Sequence, residues 1–304
     1  MSVLFWLLLL TYIPSPMINQ SLNWQPLLTA TVASLVASAM PVQAQQVTIN
    51  PAKPTLGETL SVVLQLDNNT ERPPTVIFGQ RTYPAFQIGP NRWRSLLPTT
   101  PLEKPGRRSL QVMAGQEVRN LAVWIGNRSF STQSIWLPPG KDEEGTDFEF
   151  DQVDAFKALV SPKKFWSGPF LKPNSGPTTS GYGIRRYYNG VFANDYYHRG
   201  VDYAGGTGSP VVAPAAGRVA LVGRESQGFK IHGNVVGLDH GQGVVSIFMH
   251  LNRINVQKGQ FIKAGQVIGG VGSTGASTGP HLHWGLYVNG LSVDPVPWRS
   301  QGFE

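Results

Sequence analysis

The 304 residues carry 41% hydrophobic side chains, 34 glycines, 24 prolines, no cysteine and a net charge of +7. That length allows two domains with real cores, and the lack of cysteine excludes a disulfide framework and Cys-ligated zinc, so a metal site must use His and carboxylates. The charge is uneven: residues 141–160 hold two basic against seven acidic side chains, and residues 161–304 hold thirteen against six. A basic body with an acidic belt suits an anionic polymer, cell wall or nucleic acid. Nothing resembles a nucleic-acid motif, however, and the basic residues are scattered. Abundant Gly and Pro, with few long 3.6-residue periodicities, predict a mainly β protein with many turns.

Residues 1–44 contain no charged side chain. Their apolar runs, 3–13 and 27–40, both fall short of the roughly 20 residues of a membrane span. The second ends at Val42-Gln-Ala44, a small-x-small pattern that reads as a signal-peptide cleavage site. No basic stretch precedes it, so either Met17 is the true start or residues 3–13 form an anchor. The expectation is export to the periplasm, cell envelope or extracellular space; an uncleaved segment would hold the protein at a membrane.

Residues 47–138 read as one small β domain, with strand candidates at 59–66, 75–78, 109–113 and 121–125 separated by Pro, Gly and Asn. About a hundred residues of this kind suit an Ig-like β-sandwich. It holds neither Cys nor His and is assigned no chemistry, only the role of spacer or wall-facing module. Turn residues and charge at 138–145 mark a boundary, and 148–160 offers a short helix. Residues 139–173 are therefore an acidic linker packed against the second domain. Two readings of its acidic stretch, 142–151, stay open: a belt docked on the basic domain that narrows its groove, or a solvated connector.

Residues 174–304 return to glycine-punctuated strands at 210–222, 234–239, 244–251, 267–271 and 281–288. A Lys/x-Gly-Gln turn repeats six residues apart, at 258–260 and 264–266, like two consecutive hairpin corners. In 281–288, Leu282, Trp284, Leu286 and Val288 form an apolar face, which leaves His281 and His283 on the other. In 244–251, Val245, Ile247, Met249 and Leu251 read as the core face, so that His250 turns away with Ser246 and Phe248. His198-Arg-Gly-Val-Asp202 spans about 13 Å if straight, too far for a shared metal, so the chain must bend, which Gly200 permits. Tyr187, Tyr188, Tyr196 and Tyr197 suit the wall of a cleft or plain packing.

The order Ser180-Gly-Tyr-Gly-Ile-Arg185, His198-x-x-x-Asp202, Gly208-Ser-Pro-Val-Val-Ala213, Asp239-His-Gly241, Met249-His-Leu251 and Gly279-Pro-His-Leu-His283 resembles the lysostaphin/LytM-type zinc peptidases of the M23 family across about residues 175–298. The resemblance implies an antiparallel β barrel-sandwich with zinc in an open groove. It makes His198, Asp202 and His283 the Zn2+ ligands and His250 and His281 the unliganded catalytic pair. Two nitrogens and one carboxylate oxygen leave a coordination position free, as in catalytic zinc sites. One histidine would take the proton of water while the other stabilises the oxyanion or protonates the leaving amine; which does which stays open. His240 falls on the family's Asp-His-Gly turn as a structural residue, and His232 has no role. The implied activity is endopeptidase cleavage of peptide stems or cross-links of bacterial peptidoglycan. The alternative the family offers is a catalytically silent adaptor that activates cell-wall amidases after losing zinc ligands; here all five positions are intact.

Overall fold

A computed structural model describes residues 46–66, 72–139 and 144–303. The leader reading of residues 1–44 and the acidic residues Asp142 and Glu143 lie outside the described residues. No described helix is long and apolar enough to cross a membrane.

The first part is built of β1 (Gln46–Asn50), β2 (Thr59–Gln65), β3 (Thr75–Phe78), β4 (Arg81–Tyr83), β5 (Phe86–Gly89), β6 (Arg92–Pro98), β7 (Gly106–Ala114) and β8 (Glu117–Ile125). They form two antiparallel four-stranded sheets, ordered β1-β2-β6-β5 and β4-β3-β7-β8. The alternation in β7 and β8 places Leu110, Val112, Val123 and Ile125 inward, against Leu60, Val62 and Leu64 of β2. Arg94 of β6 reaches out of this half. It is 1% exposed, donates to the carbonyl of Phe303 and to Gln242 Oε1, and lies over the ring of Trp166 at 5.1 Å. Leu96 of the same strand belongs to the core of the second half.

Next come β9 (Thr132–Ile135), helix α1 (Asp147–Lys157), β10 (Thr178–Ser180), β11 (Arg185–Tyr188), β12 (Val191–Phe192), β13 (Val201–Ala204), β14 (Pro210–Val212), β15 (Gly217–Gly223), β16 (Val235–Gly241), β17 (Val244–Met249), β18 (Arg253–Ile254), β19 (Phe261–Ile262), β20 (Val267–Gly270), β21 (His281–Val288), β22 (Leu291–Val293) and the short α2 (Trp298–Gln301). The main sheet runs β10-β13-β21-β17-β16-β15-β19, with β22 beside β21, and a smaller sheet runs β14-β20-β18. The run 210–222 is thus two strands in two sheets, parted at Pro214. The six-residue repeat is a repeated turn: Gln260 N donates to Gln257 O as Gln266 N does to Lys263 O, and the Gln260 and Gln266 side chains accept from the N–H groups of Gln257 and Lys263. β9 leaves the first half to pair in parallel with β11.

Leu282, Trp284, Leu286 and Val288 enter the main core, as their alternation predicts. The other face of the sheet is not left to solvent. Val153 and Phe156 of α1 cover it, forming a second core with Val245, Ile247 and Tyr287. The reading of 244–251 is corrected accordingly: Ser246 and Phe248 are fully buried toward the main core, and Val245 and Ile247 face the helix. Both faces of β17 are apolar because both are covered, and the strand pattern alone cannot tell the two covers apart. The linker is docked over 147–157, by the packing of Val153 and Phe156 and by the buried Glu149 carboxylate on the loop at 230–232.

Candidate active site

β13 and β21 are antiparallel neighbours in which Asp202 and His283 are direct Cα partners. His198 lies three residues before β13, on an approach held by hydrogen bonds from Gly183 N to His198 O and from His198 N to Ile184 O. The bend between His198 and Asp202 is therefore made before the strand, and Gly200 contributes something other than left-handed backbone. A Cβ there would lie 2.8 Å from His283 Nε2 and would strike the Trp284 carbonyl. Its missing side chain lets the chain pass over the imidazole.

The three side chains converge. His198 Nε2 and His283 Nδ1 each stand 2.9 Å from Asp202 Oδ1 and 3.0 Å from each other. All three residues are buried, and each offers a ligand atom to a common point. The surrounding bonds aim those atoms. His198 Nδ1 is 2.7 Å from the Gly181 carbonyl, which can only accept, so the proton sits there and Nε2 presents its lone pair. Arg186 Nη2 donates to Asp202 Oδ2 at 3.1 Å, leaving Oδ1 for the centre.

Burial opposes the charge on Asp202, but the neighbouring His198 and His283 imidazoles outweigh it and hold the carboxyl well below its usual range. Burial pushes the His283 imidazole down to about 4 despite the attraction of Asp202. At neutral pH Asp202 is thus ionised and His283 neutral, the states a metal needs. The donor set fits zinc. With its proton on Nδ1, His198 points a lone pair at a carboxylate oxygen 2.9 Å away, a repulsion that a cation between them removes. Zinc bonds of 2.0–2.1 Å in a tetrahedron put ligand atoms about 3.4 Å apart, a few tenths of an ångström beyond the separations here.

His281 opens β21 and His250 follows β17. The His281 ring offers Nδ1 to the Gly279 carbonyl at 2.9 Å, and its Nε2 lies 4.0 Å from Asp202 Oδ1. His250 offers Nδ1 to the Thr274 carbonyl at 2.9 Å. The two rings are 4.8 Å apart between centroids. Strand parity would send His250 inward with Phe248; it escapes because its backbone takes φ +62°, which is costly without glycine and is the kind of outlier found where a side chain must be aimed. Burial first, then the neighbouring His281 and His283, hold the His250 imidazole well below its ordinary value. All five residues meet at a groove of about 940 Å³, whose lining includes Asp202, His250, His281 and His283. His198 sits beneath, 0% exposed. Tyr188 and Tyr196 line the groove, whereas Tyr197 is core.

Residues 196–295 match the model of peptidase family M23. The chain carries a peptidase family M23 domain. It is 41% identical over 129 residues to lysostaphin of Staphylococcus staphylolyticus, a match covering 40% of this chain and 26% of that protein. To the DD-carboxypeptidase/endopeptidase Mpg of Neisseria meningitidis serogroup B it is 43% identical over 99 residues, covering 33% of this chain and 22% of that one. The chain spans about a quarter (22–26%) of the length of these curated relatives. It is also 39% identical over 98 residues to the peptidoglycan DD-endopeptidase ShyC of Vibrio cholerae serotype O1, covering 32% of this chain and 22% of that one. A crystal structure of a candidate peptidase M23 from Pseudomonas aeruginosa matches with a TM-score of 0.62 at 29% identity, over 82% of this chain and 95% of that chain. That likeness extends well beyond the M23 domain into the first β half.

Two residues of the site escape a reading of the sequence. Arg186 stands in the strand Arg185-Arg-Tyr-Tyr188, where nothing announces a carboxylate partner. Glu149 lies outside the M23 domain on α1, as the last residue of Thr146-x-x-Glu149, which has the form of a helix capping box; its carboxylate is instead bound to the loop at 230–232. The two leftover histidines also separate. His240 is buried between the Ala216 carbonyl and Ser246 Oγ, both at 2.8 Å, and is structural. His232 holds Glu149.

Proposed function

We propose that this protein is a zinc-dependent endopeptidase that cleaves the peptide stems or cross-links of bacterial peptidoglycan in the cell envelope. The observation that carries the reading is the convergence of His198 Nε2, Asp202 Oδ1 and His283 Nδ1 at one point, with a second histidine pair beside it on a groove. The M23 domain and its peptidoglycan-acting relatives supply the substrate class.

His198, Asp202 and His283 would hold the metal, whose chemistry when bound is Lewis-acid polarisation of the scissile carbonyl and acidification of a water. The protein supplies the proton transfers. The carbonyls of Gly279 and Thr274 keep the Nδ1 protons of His281 and His250, so both rings present Nε2 as an acceptor to the groove. One ring takes the proton of the attacking water, and that proton then goes to the departing amine. Burial favours the neutral imidazole at His250, so its Nε2 lone pair is unprotonated in the resting site. Arg186 keeps Asp202 turned toward the centre throughout.

The test is digestion of purified sacculi by the zinc-loaded full chain, with identification of the new amino terminus. Cleavage abolished by chelation and restored by zinc is expected. A chain that binds zinc and releases no new amino group would instead be a silent adaptor.

A further inference from the structure

Glu149 is the one fully buried acid of α1, at 0% exposure. Thr146 caps the helix by accepting from Glu149 N at 3.1 Å, but the Glu149 carboxylate does not return to the helix end as a capping box would have it. It accepts from Lys230 N at 3.0 Å, Ile231 N at 3.0 Å, His232 N at 2.7 Å and His232 Nδ1 at 2.5 Å. Three successive backbone N–H groups closing on one oxygen pair form an anion nest. Burial pushes the carboxyl up, but these bonds, led by the His232 ring, outweigh it and keep it below its ordinary range, hence ionised.

The loop that Glu149 holds makes two connections to His250. The His232 carbonyl accepts from His250 N at 3.0 Å, which pins the backbone where it takes φ +62°. The Ile231 carbonyl accepts from Ala276 N at 3.0 Å, holding the segment whose Thr274 carbonyl fixes the His250 ring. The loop and that segment touch backbone to backbone: a Cβ on Gly233 would strike Thr274, and one on Gly275 would strike Gly233. Neither connection passes through the metal-ligand set.

We propose that Glu149 is a positioning residue for His250, so that the linker helix, outside the M23 domain, completes the active site. Removing the carboxylate leaves the N–H groups of Ile231 and His232 and the His232 ring N–H without their acceptor, while Lys230 N keeps the Gly228 carbonyl. The loop then shifts, and His250 loses both the clamp on its strained backbone and the carbonyl that sets its tautomer. The consequence for catalysis rests on the peptidase reading above; the consequence for His250 does not.

The experiment compares zinc-loaded full-length wild type with Glu149→Gln and Glu149→Ala, by zinc content, by kcat and KM on a soluble cross-linked muropeptide, and by imidazole nitrogen resonances. Expected are unchanged zinc, a kcat lowered about 10- to 100-fold, the scale of a misplaced catalytic group, and little change in KM. The resonances of His250 should lose their fixed Nδ1–H pattern while those of His198 and His283 hold. Glu149→Gln keeps one acceptor oxygen and should fall between wild type and Glu149→Ala; if the alanine variant does not fold, the glutamine variant decides. Wild-type kcat in Glu149→Gln, or a lowered kcat with the His250 resonances intact, overturns the positioning role. If the wild type cleaves no wall substrate, the peptidase reading fails and the His250 resonances alone decide this one.

Discussion

Asp202 and His283 face each other across the β13–β21 ladder, with Oδ1 and Nδ1 2.9 Å apart. Slipping the register by one residue would bring Leu282 or Trp284 opposite Asp202 and turn His283 to the other face of the sheet. Burial of Leu282, Trp284, Leu286 and Val288 in the main core forbids that slip. Core packing therefore builds the metal-binding pair, and disruption of either should be felt in the other.

Zinc should be bound one per chain, and His198→Ala, Asp202→Ala and His283→Ala should each lower its affinity. Competition with a chromophoric chelator measures this. Asp202→Ala should be the most damaging to stability as well, because it strands the buried Arg186 guanidinium. Stoichiometric zinc in all three variants would sink the ligand assignment.

His250→Ala and His281→Ala should keep zinc and lose peptidase rate on the order of 100-fold or more, the usual weight of a positioned acid or base. Metal analysis beside turnover of sacculi separates the two effects. Undiminished turnover in either variant would remove that histidine from the mechanism.

Gly200→Ala should weaken zinc binding with no change to any ligand. The new Cβ would meet the His283 ring at 2.8 Å, and relief must come from moving either that ring or the strand entrance. Overpacking of this kind costs about 1–3 kcal/mol. Chelator competition and a urea melt test it, and a variant with wild-type values in both would remove the steric role given to Gly200.

His240 should make the protein acid-sensitive. Burial lowers its imidazole to about 4 in the folded state, against roughly 6.5 when unfolded. Below about pH 6.5 the unfolded chain takes up a proton that the folded one refuses until about pH 4, so stability falls with pH across that window, by up to ~3 kcal/mol. Urea midpoints between pH 7.5 and 4.5 should fall less steeply in His240→Gln than in wild type. Parallel slopes would mean that this imidazole is not held neutral.

Phe156→Ala should destabilise the M23 domain although it lies outside it. The side chain is 3% exposed and packs with Leu221, Val245 and Ile247, and truncating such an aromatic costs about 3–5 kcal/mol. If α1 is part of the fold, one cooperative urea transition moves as a whole; an unshifted main transition would return the linker to the status of an independent connector.

Residue order alone determined what depends on neighbours along the chain. The alternation of 281–288 assigned four side chains to the core and left two histidines on the other face, because pleated backbone makes side-chain direction a matter of parity. The absence of cysteine limited a metal to His and carboxylate ligands, and the resemblance to the M23 family singled out five residues, four of which line the groove with His198 buried beneath them. Tertiary structure decided what depends on partners far away. That both faces of β17 are covered, that His250 reaches the groove only through a left-handed backbone, and that Gly200 is needed for clearance all follow from segments packed on them. Arg186 meets Asp202 16 residues on, and Glu149 meets His232 83 residues on. No periodicity encodes such meetings, since a buried charge is placed by the groups that satisfy it, and those groups gather only when the chain has folded.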